Sequence, residues 1–582
     1  MKYEQQILAA FGRLGFQPRD NQVDHVNQIV VAFLDNGAKN VILSAPTGTG
    51  KSIIGAVAAE VIHTIKHPDV NAGASFMLTT TNVLAQQYVD TFTCDEEAHP
   101  AFKIIKGARN YECEALSTAQ EPQNAESCAL MLFMKSGMSA MIDGPCSRCE
   151  YRRAKAAKAT ARHLITNASY YFIDRLYSTH PMEKRTVCVF DEAHLFNDLF
   201  VEHNAIYVSE KRLDAMIKEV GDAVRLRDGA VFNKIKKVRD ALVSGKITRD
   251  TYNAYAREML TIYKDIASSA QAQAESNVRN PKKYLALQKI AKKYFNFGCK
   301  IDDFILFGYP HVFEYKPLDV KKGQNEHEIS IKPVFIGDMF EALDNAEFNL
   351  FMSATISDKM VVRTMTLPGK TEFIKLPPQF PAENKKVVFY NPMLLNYSSM
   401  QQPETIKKLC ATVWQITDHH VKKGERGIIL VPSFKVGDSI AQVLRTMKLP
   451  AAIFEQQRGV PLADTLEKFK SYSGNAVLIT PAGFEGVDLA GDLSRFQILV
   501  KMPFASLGDA RIKHICDTYP DIYTGTALQK LVQGAGRSVR SADDWATTYI
   551  LDTAAQKAWS GSQNLWKDEF NTRYASTLET QE

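Results

Sequence analysis

The chain has 582 residues, 45% of them hydrophobic and 23% charged. That balance excludes a disordered chain and leaves ample apolar material for several cores. Lys and Arg number 70 against 65 Asp and Glu, a net of +5, so any nucleic-acid surface must be local rather than global. No stretch reaches the ~18 apolar residues of a membrane span, so no membrane partner is expected. Residues 1–14 are amphipathic, without the basic-then-apolar layout of a secretory leader. A cytoplasmic protein with reduced cysteines is expected, so a cysteine group reads as metal ligands before disulfides.

In chain order, short apolar runs alternate with helix-like segments. The first series comprises 41–45, 76–80, 187–190 and 350–353; the second comprises 387–390, 428–431, 477–480, 496–500 and 549–551. Such runs predict buried parallel strands in two α/β layers, with a break at the proline-bearing stretch 376–384. Two segments interrupt the first series. Residues 106–158 are cysteine-bearing and irregular. Residues 205–310 carry three stripes at helical spacing: Leu213, Met216, Ile217, Val220 and Val224; Val231, Ile235, Val238 and Leu242; and Tyr252, Tyr255, Met259, Ile262 and Ile266. These predict a packed helical insertion.

Residues 45–52 read A-P-T-G-T-G-K-S between a strand-like run and a helix-like segment. In that context Gly48, Thr49 and Gly50 form a loop whose backbone N–H groups can wrap phosphates at a helix N-terminus. Lys51 would reach the β- and γ-phosphates of ATP, and the Ser52 hydroxyl would hold Mg²⁺. Residues 187–194 read V-C-V-F-D-E-A-H. They place Asp191 and Glu192 at the carboxyl end of a buried strand, where open α/β sheets bind ligands. Asp191 suits Mg²⁺ through a water; Glu192 suits polarisation of the attacking water.

With both motifs in hand, the chain resembles the XPD/DinG family of superfamily 2 iron–sulfur DNA helicases over nearly its whole length. Arg19 and Gln22 in F-Q-P-R-D-N-Q look like the adenine-side motif, and L-T-T-T-N-V-L-A-Q-Q (78–87) looks like motif Ia. M-S-A-T-I (352–356) looks like motif III. P-A-G-F-E-G-V-D-L (481–489) looks like motif V, with Asp488 on the nucleotide side. Q-G-A-G-R-S-V-R (533–540) looks like motif VI, which implies catalytic roles for Gln533, Arg537 and Arg540. Two departures stand out: Phe484 replaces the usual Trp of motif V, and Asp552 is followed by Thr553 and Ala554 rather than an Asp-x-Arg ending.

Cys113, Cys128, Cys146 and Cys149 fall between the two nucleotide motifs. Four thiolates suit a [4Fe–4S] cluster or structural zinc, and spacing alone leaves both open. The resemblance implies the cluster, because the family's iron–sulfur domain is inserted there. Cys94, Cys188, Cys299, Cys410 and Cys516 read as plain buried thiols. Arg152, Lys155, Lys158 and Arg162 follow Cys149 at helical spacing and could track a phosphate backbone.

The expected architecture is therefore α/β. It has a first RecA-like motor domain (1–105, 159–204, 335–375), an iron–sulfur domain (106–158), a helical arch (205–334) and a second motor domain (376–582). The resemblance implies a monomer that moves 5′ to 3′ on single-stranded DNA and unwinds forked or duplex DNA. The rival is an ATP-gated single-strand binding module without unwinding. The presence of Lys51, Glu192, Arg537 and Arg540 together disfavours it.

Overall fold

The structure is a computed structural model. It describes residues 1–582 other than 20, 47, 93–100, 116, 118–122, 128–145, 179, 225–228, 320–323, 483–488, 490, 540, 542, 563–567 and 579–582. The chain divides into two compact units. One comprises Met1–Leu43, Ser52–Met352 and Asp358–Ile374; the other comprises Ser44–Lys51, Ser353–Ser357 and Lys375–Glu582.

The first unit is built on a seven-stranded sheet. Its strands are β1 (Asn40–Ser44), β2 (Ser75–Thr79), β3 (Phe102–Ile105), β4 (His163–Asn167), β5 (Arg185–Asp191), β9 (Ala346–Ser353) and β10 (Thr371–Lys375), in the order β10-β1-β9-β5-β2-β4-β3. β2 runs parallel to β4 and β5, β3 to β4, and β5 to β9. Every residue of β1, β2 and β5 is buried, because helices cover both faces of such a sheet. The helix Lys51–Lys66 lies close to this sheet at Gly55. A Cβ there would come within 2.8 Å of the Met352 side-chain end on β9, so a larger residue would require that side chain to shift.

Between Asn204 and Phe340 the chain leaves this sheet. It forms the helices Glu210–Ala223, Ala230–Val243, Tyr252–Ser276 and Pro281–Phe307. The predicted stripe residues Leu213, Val220, Ile235, Val238, Met259, Ile262 and Ile266 are buried among them. The insertion is not purely helical, however. It also carries a three-stranded antiparallel sheet in the order β6-β8-β7, from β6 (Ile206–Ser209), β7 (His311–Lys316) and β8 (Glu328–Pro333). These strands are short and half-buried, which is why they leave no continuous apolar run.

The second unit holds another seven-stranded sheet, in the order β13-β14-β12-β15-β16-β11-β17. Its strands are β11 (Lys385–Met393), β12 (Gly427–Leu430), β13 (Ala452–Glu455), β14 (Ala476–Thr480), β15 (Phe496–Leu499), β16 (Ala546–Asp552) and β17 (Asn571–Ala575). Every neighbouring pair is parallel. Ile429 packs with Val413, Ile416 and Ile440, whereas Ile428 and Leu430 pack with Phe389, Leu499 and Leu531. Alternate residues thus enter two apolar layers, which explains unbroken apolar runs in place of period-2 alternation. Among the described residues, no helix is long and apolar enough to cross a membrane.

Candidate nucleotide site and its surroundings

The loop 45–50 leaves β1 and leads into the helix that begins at Lys51. Gly48 and Gly50 adopt φ of 92° and 75°, a region that glycine occupies without penalty. The Thr49 hydroxyl donates to Pro46 O at 2.9 Å and closes the turn. A side chain at Gly48 would run into the Phe380 ring. The helix N-terminus therefore carries Lys51 and Ser52 behind a tightly wound loop, the setting in which unsatisfied N–H groups favour phosphate.

β5 delivers two carboxylates. Asp191 is buried, and its Oδ2 accepts the Ser52 hydroxyl at 3.5 Å and the Tyr88 hydroxyl at 2.6 Å. A hydroxyl and a carboxylate in one corner are the hard oxygen donors that Mg²⁺ prefers, so these residues fit the ion. Glu192 turns the chain sharply. Its φ of 51° and ψ of 46° are left-handed, a strained state for a non-glycine residue. Its N–H donates to Asp191 Oδ1 at 3.0 Å, which offsets part of that strain. The Glu192 carboxylate is half-exposed, 3.4 Å from His194 Nδ1.

Tyr88, on the helix Asn82–Phe92, has no counterpart among the predicted site residues. Its spacing with Ala85 and Phe92 reads as packing, and all three are buried. Burial, and then the neighbouring Asp191 charge, push its phenol well above the ordinary value, so it stays a donor.

Gln22 is buried, and its Oε1 accepts the Arg19 N–H at 2.9 Å. The glutamine thereby closes the turn that presents Arg19, which is exposed. In the second unit, motif VI begins on the helix Pro520–Ala535. Gln529 Nε2 donates to Thr355 O at 2.8 Å and Gln533 Nε2 to Thr355 Oγ1 at 3.1 Å. Motifs III and VI are thus bonded directly. Arg537 follows the helix end and is 8% exposed. Asp488 and Arg540 lie outside the described residues, as do Phe484 and Glu485 of motif V.

Residues 15–219 match the family described as the res subunit of type III restriction enzymes, and residues 416–566 match the helicase C-terminal domain. The ATP-dependent DNA helicase YoaA of Escherichia coli (strain K12) is 22% identical over 92% of both chains. The ATP-dependent DNA helicase DinG of Photobacterium profundum is 29% identical over 20% of this chain and 18% of its own. A solved XPD helicase structure shares the fold at a TM-score of 0.59 and 15% identity, covering 96% of this chain and all of its own. By these matches the chain is similar to XPD/DinG-like superfamily 2 helicases.

Cys113 and Cys146 are buried and Cys149 is partly so. Cys146 and Cys149 bracket a turn, and Cys149 stands at the N-cap of the helix Glu150–Thr160. The Tyr111 ring, two residues before Cys113, lies 5.4 Å from that of Tyr151. The segments bearing these three thiols are therefore neighbours, and thiols are the donors an iron–sulfur cluster takes. Cys128 lies outside the described residues. Among those described, no three His, Cys, Asp or Glu side chains are gathered as a metal requires. Of the other cysteines, Cys188 and Cys410 are buried, while Cys299 and Cys516 are only partly so; Cys94 lies outside the described residues.

The predicted basic face needs correction. The helix ends at Thr160, so Arg162 is not on it. The Arg162 guanidinium instead grips Glu60, with Nε–Oε2 at 2.6 Å and Nη2–Oε1 at 3.0 Å. Lys158 is ion-paired with the buried Asp174 and donates to His180 O. Lys158 and Arg162 therefore serve the packing of the first unit. Arg152 donates to Cys146 O at 2.9 Å, and the Lys155 ammonium lies 5.5 Å from the Tyr151 ring centre; both side chains are exposed.

Glu60 is the hub of that packing. It is 1% exposed and also accepts Arg13 Nε at 2.8 Å and His163 Nε2 at 3.1 Å. Burial alone would raise its pKa. The hydrogen bonds from His163 and Arg162 outweigh burial and hold the carboxyl well below the usual range. Burial lowers His163, which stays neutral, with Nδ1 facing the Ser75 hydroxyl at 2.8 Å. Glu60→Ala should cost about 3 kcal/mol, toward the low end for breaking a buried pair because Arg13 reaches solvent. The pH sign follows from the lowered folded pKa. Glu60's contribution is fully present above its ordinary value of 4.5 and is lost as pH falls through the lower folded value. Thermal unfolding of parent and Glu60→Gln should therefore differ by a constant gap from pH 5 to 8 that closes below pH 4.5. A gap that widened on acidification would refute this account.

Proposed function

We propose that this chain is an ATP-dependent DNA helicase that translocates 5′ to 3′ on single-stranded DNA and unwinds the duplex ahead. The observation that carries the reading is the meeting of Ser52 with Asp191 beside Glu192 at the end of β5. Ser52 and Asp191 would hold Mg²⁺, which neutralises phosphate charge when bound. Lys51 and the N–H groups around Gly48, Thr49 and Gly50 would hold the phosphates, with Arg19 and Gln22 on the adenine side and Asp488 on the nucleotide side. Glu192 would orient and polarise the attacking water. Gln533, Arg537 and Arg540 would serve the transition state. The bonds from Gln529 and Gln533 to Thr355 support a link between motif VI and motif III.

Residues 1–105, 159–204 and 335–375 are read as motor domain 1, 106–158 as the cluster domain, 205–334 as the arch and 376–582 as motor domain 2. Cys113, Cys128, Cys146 and Cys149 would hold the [4Fe–4S] cluster, which would cross-link their segments. Arg152 and Lys155, exposed beside Cys149, are the basic groups left to meet a phosphate backbone.

Unwinding of forked DNA with a single 5′ or 3′ tail tests the reading. The 5′-tailed substrate should open with ATP, and the 3′-tailed and all-RNA substrates should not. Protein purified anaerobically for this assay should hold about four iron and four sulfide per chain. Strand binding with ATP turnover but no unwinding of either fork would favour the ATP-gated binding module instead.

A further inference from the structure

We propose that Tyr88 is a positioning residue for the magnesium-side carboxylate, its hydroxyl fixing Asp191 to the helix Asn82–Phe92. The proposal rests on the reading of Asp191 as the Mg²⁺-side acid.

Donors from at least three elements reach Asp191. Ser52 comes from the phosphate-loop helix, and the Glu192 N–H from the turn after β5. Tyr88 comes from a separate helix and makes the shortest of the three bonds, 2.6 Å to Oδ2. A hydroxyl donating to a carboxylate at this distance is a strong, charge-assisted bond.

The tyrosine is held where it stands. It is 3% exposed, and its ring lies 5.6 Å from that of Phe92, which in turn stacks on Phe102 at 4.4 Å. The start of the same helix is held too: Asn82 accepts from Asn167 and donates to Asn110 Oδ1 at 3.3 Å. A helix fixed at both ends thus sets the orientation of the carboxylate. Partners that orient metal-side ligands typically contribute ~10–100-fold to metal affinity.

Tyr88→Phe removes one oxygen and keeps the ring. The measurements are ADP affinity in EDTA and Mn²⁺ affinity of the ADP-bound protein, read from the electron paramagnetic resonance of free Mn²⁺. Metal-free ADP binding should match the parent, and Mn²⁺ should bind ~10-fold more weakly or worse. Raising Mn²⁺ should restore the bound state. Asp191→Asn is the companion variant. If it leaves Mn²⁺ binding at the parent level, the reading of Asp191 fails. If it weakens Mn²⁺ binding and Tyr88→Phe does not, that reading stands and Tyr88 is a core residue only, which overturns the proposal. Should Tyr88→Phe fail to fold, difluorotyrosine at position 88 alters the hydroxyl without removing the ring. Mn²⁺ affinity then shifts under the proposal and stays put under packing alone.

Discussion

Glu192→Gln should lower DNA-stimulated ATP turnover by about 10²–10⁴-fold, the usual worth of a positioned general base, while ATP still binds. Lys51→Ala should lose about 10²–10³-fold in kcat, as expected for one electrostatic donor to the transition state, and should weaken nucleotide binding as well. The contrast comes from position. Lys51 opens the helix behind the phosphate loop, whereas Glu192 sits beyond β5 with His194 Nδ1 3.4 Å from its carboxylate. The amide keeps the size of the acid, and the left-handed turn at 192 is set by the backbone and by the N–H bond to Asp191. The loss therefore reports chemistry rather than a rearranged turn. Steady-state turnover paired with equilibrium ATP binding gives the answer. Parent-like turnover in Glu192→Gln would remove it from the reaction.

Arg537→Ala should cost more, about 10³–10⁵-fold in kcat, because the role proposed for its guanidinium is to meet γ-phosphate charge that spreads only in the transition state. KM for ATP should move little. Arg537 is flanked by bonded residues. It follows a helix whose Gln529 and Gln533 hold Thr355, and the next residue, Ser538, is anchored by its hydroxyl on Ser494 at 2.9 Å. Those bonds do not involve the guanidinium and should outlast its removal. Arg537→Lys should recover only part of the rate, since an ammonium keeps the charge without the planar fork. A raised KM with unchanged kcat would make Arg537 a ground-state binder.

The sequence carried most of the sheets because parallel strands covered on both faces announce themselves as apolar runs, as 187–190 and 428–431 do. It hid β3 and β4 for opposite reasons. β3 is an edge strand with an exposed Lys103, and β4 begins with a buried histidine whose polarity is satisfied by Glu60 and Ser75. The nucleotide motifs were legible because phosphate chemistry constrains contiguous residues. Tyr88 was not, since a packing tyrosine and one that donates to a carboxylate share the same helical spacing. Arg162 failed in the other direction. A run of cations looks like a solvated or strand-binding face until its distant partner, Glu60 on another helix, is known.

Across the β6–β8 ladder, Ser209 and Glu328 are register partners, as are Ile206 and Ile331, so the long excursion through four helices returns to within one strand spacing of its departure. Once its ends are stapled side by side, the length of the excursion barely concerns the sheet beneath it. Closing a flexible loop grows costlier only with the logarithm of its size, about 0.6 kcal/mol for each doubling. Residues between the ladder strands can thus change in number at little cost to closure, although the last helix also bonds to His203 O through Lys300. That makes this seam a place where an appendage can change length with little cost to loop closure.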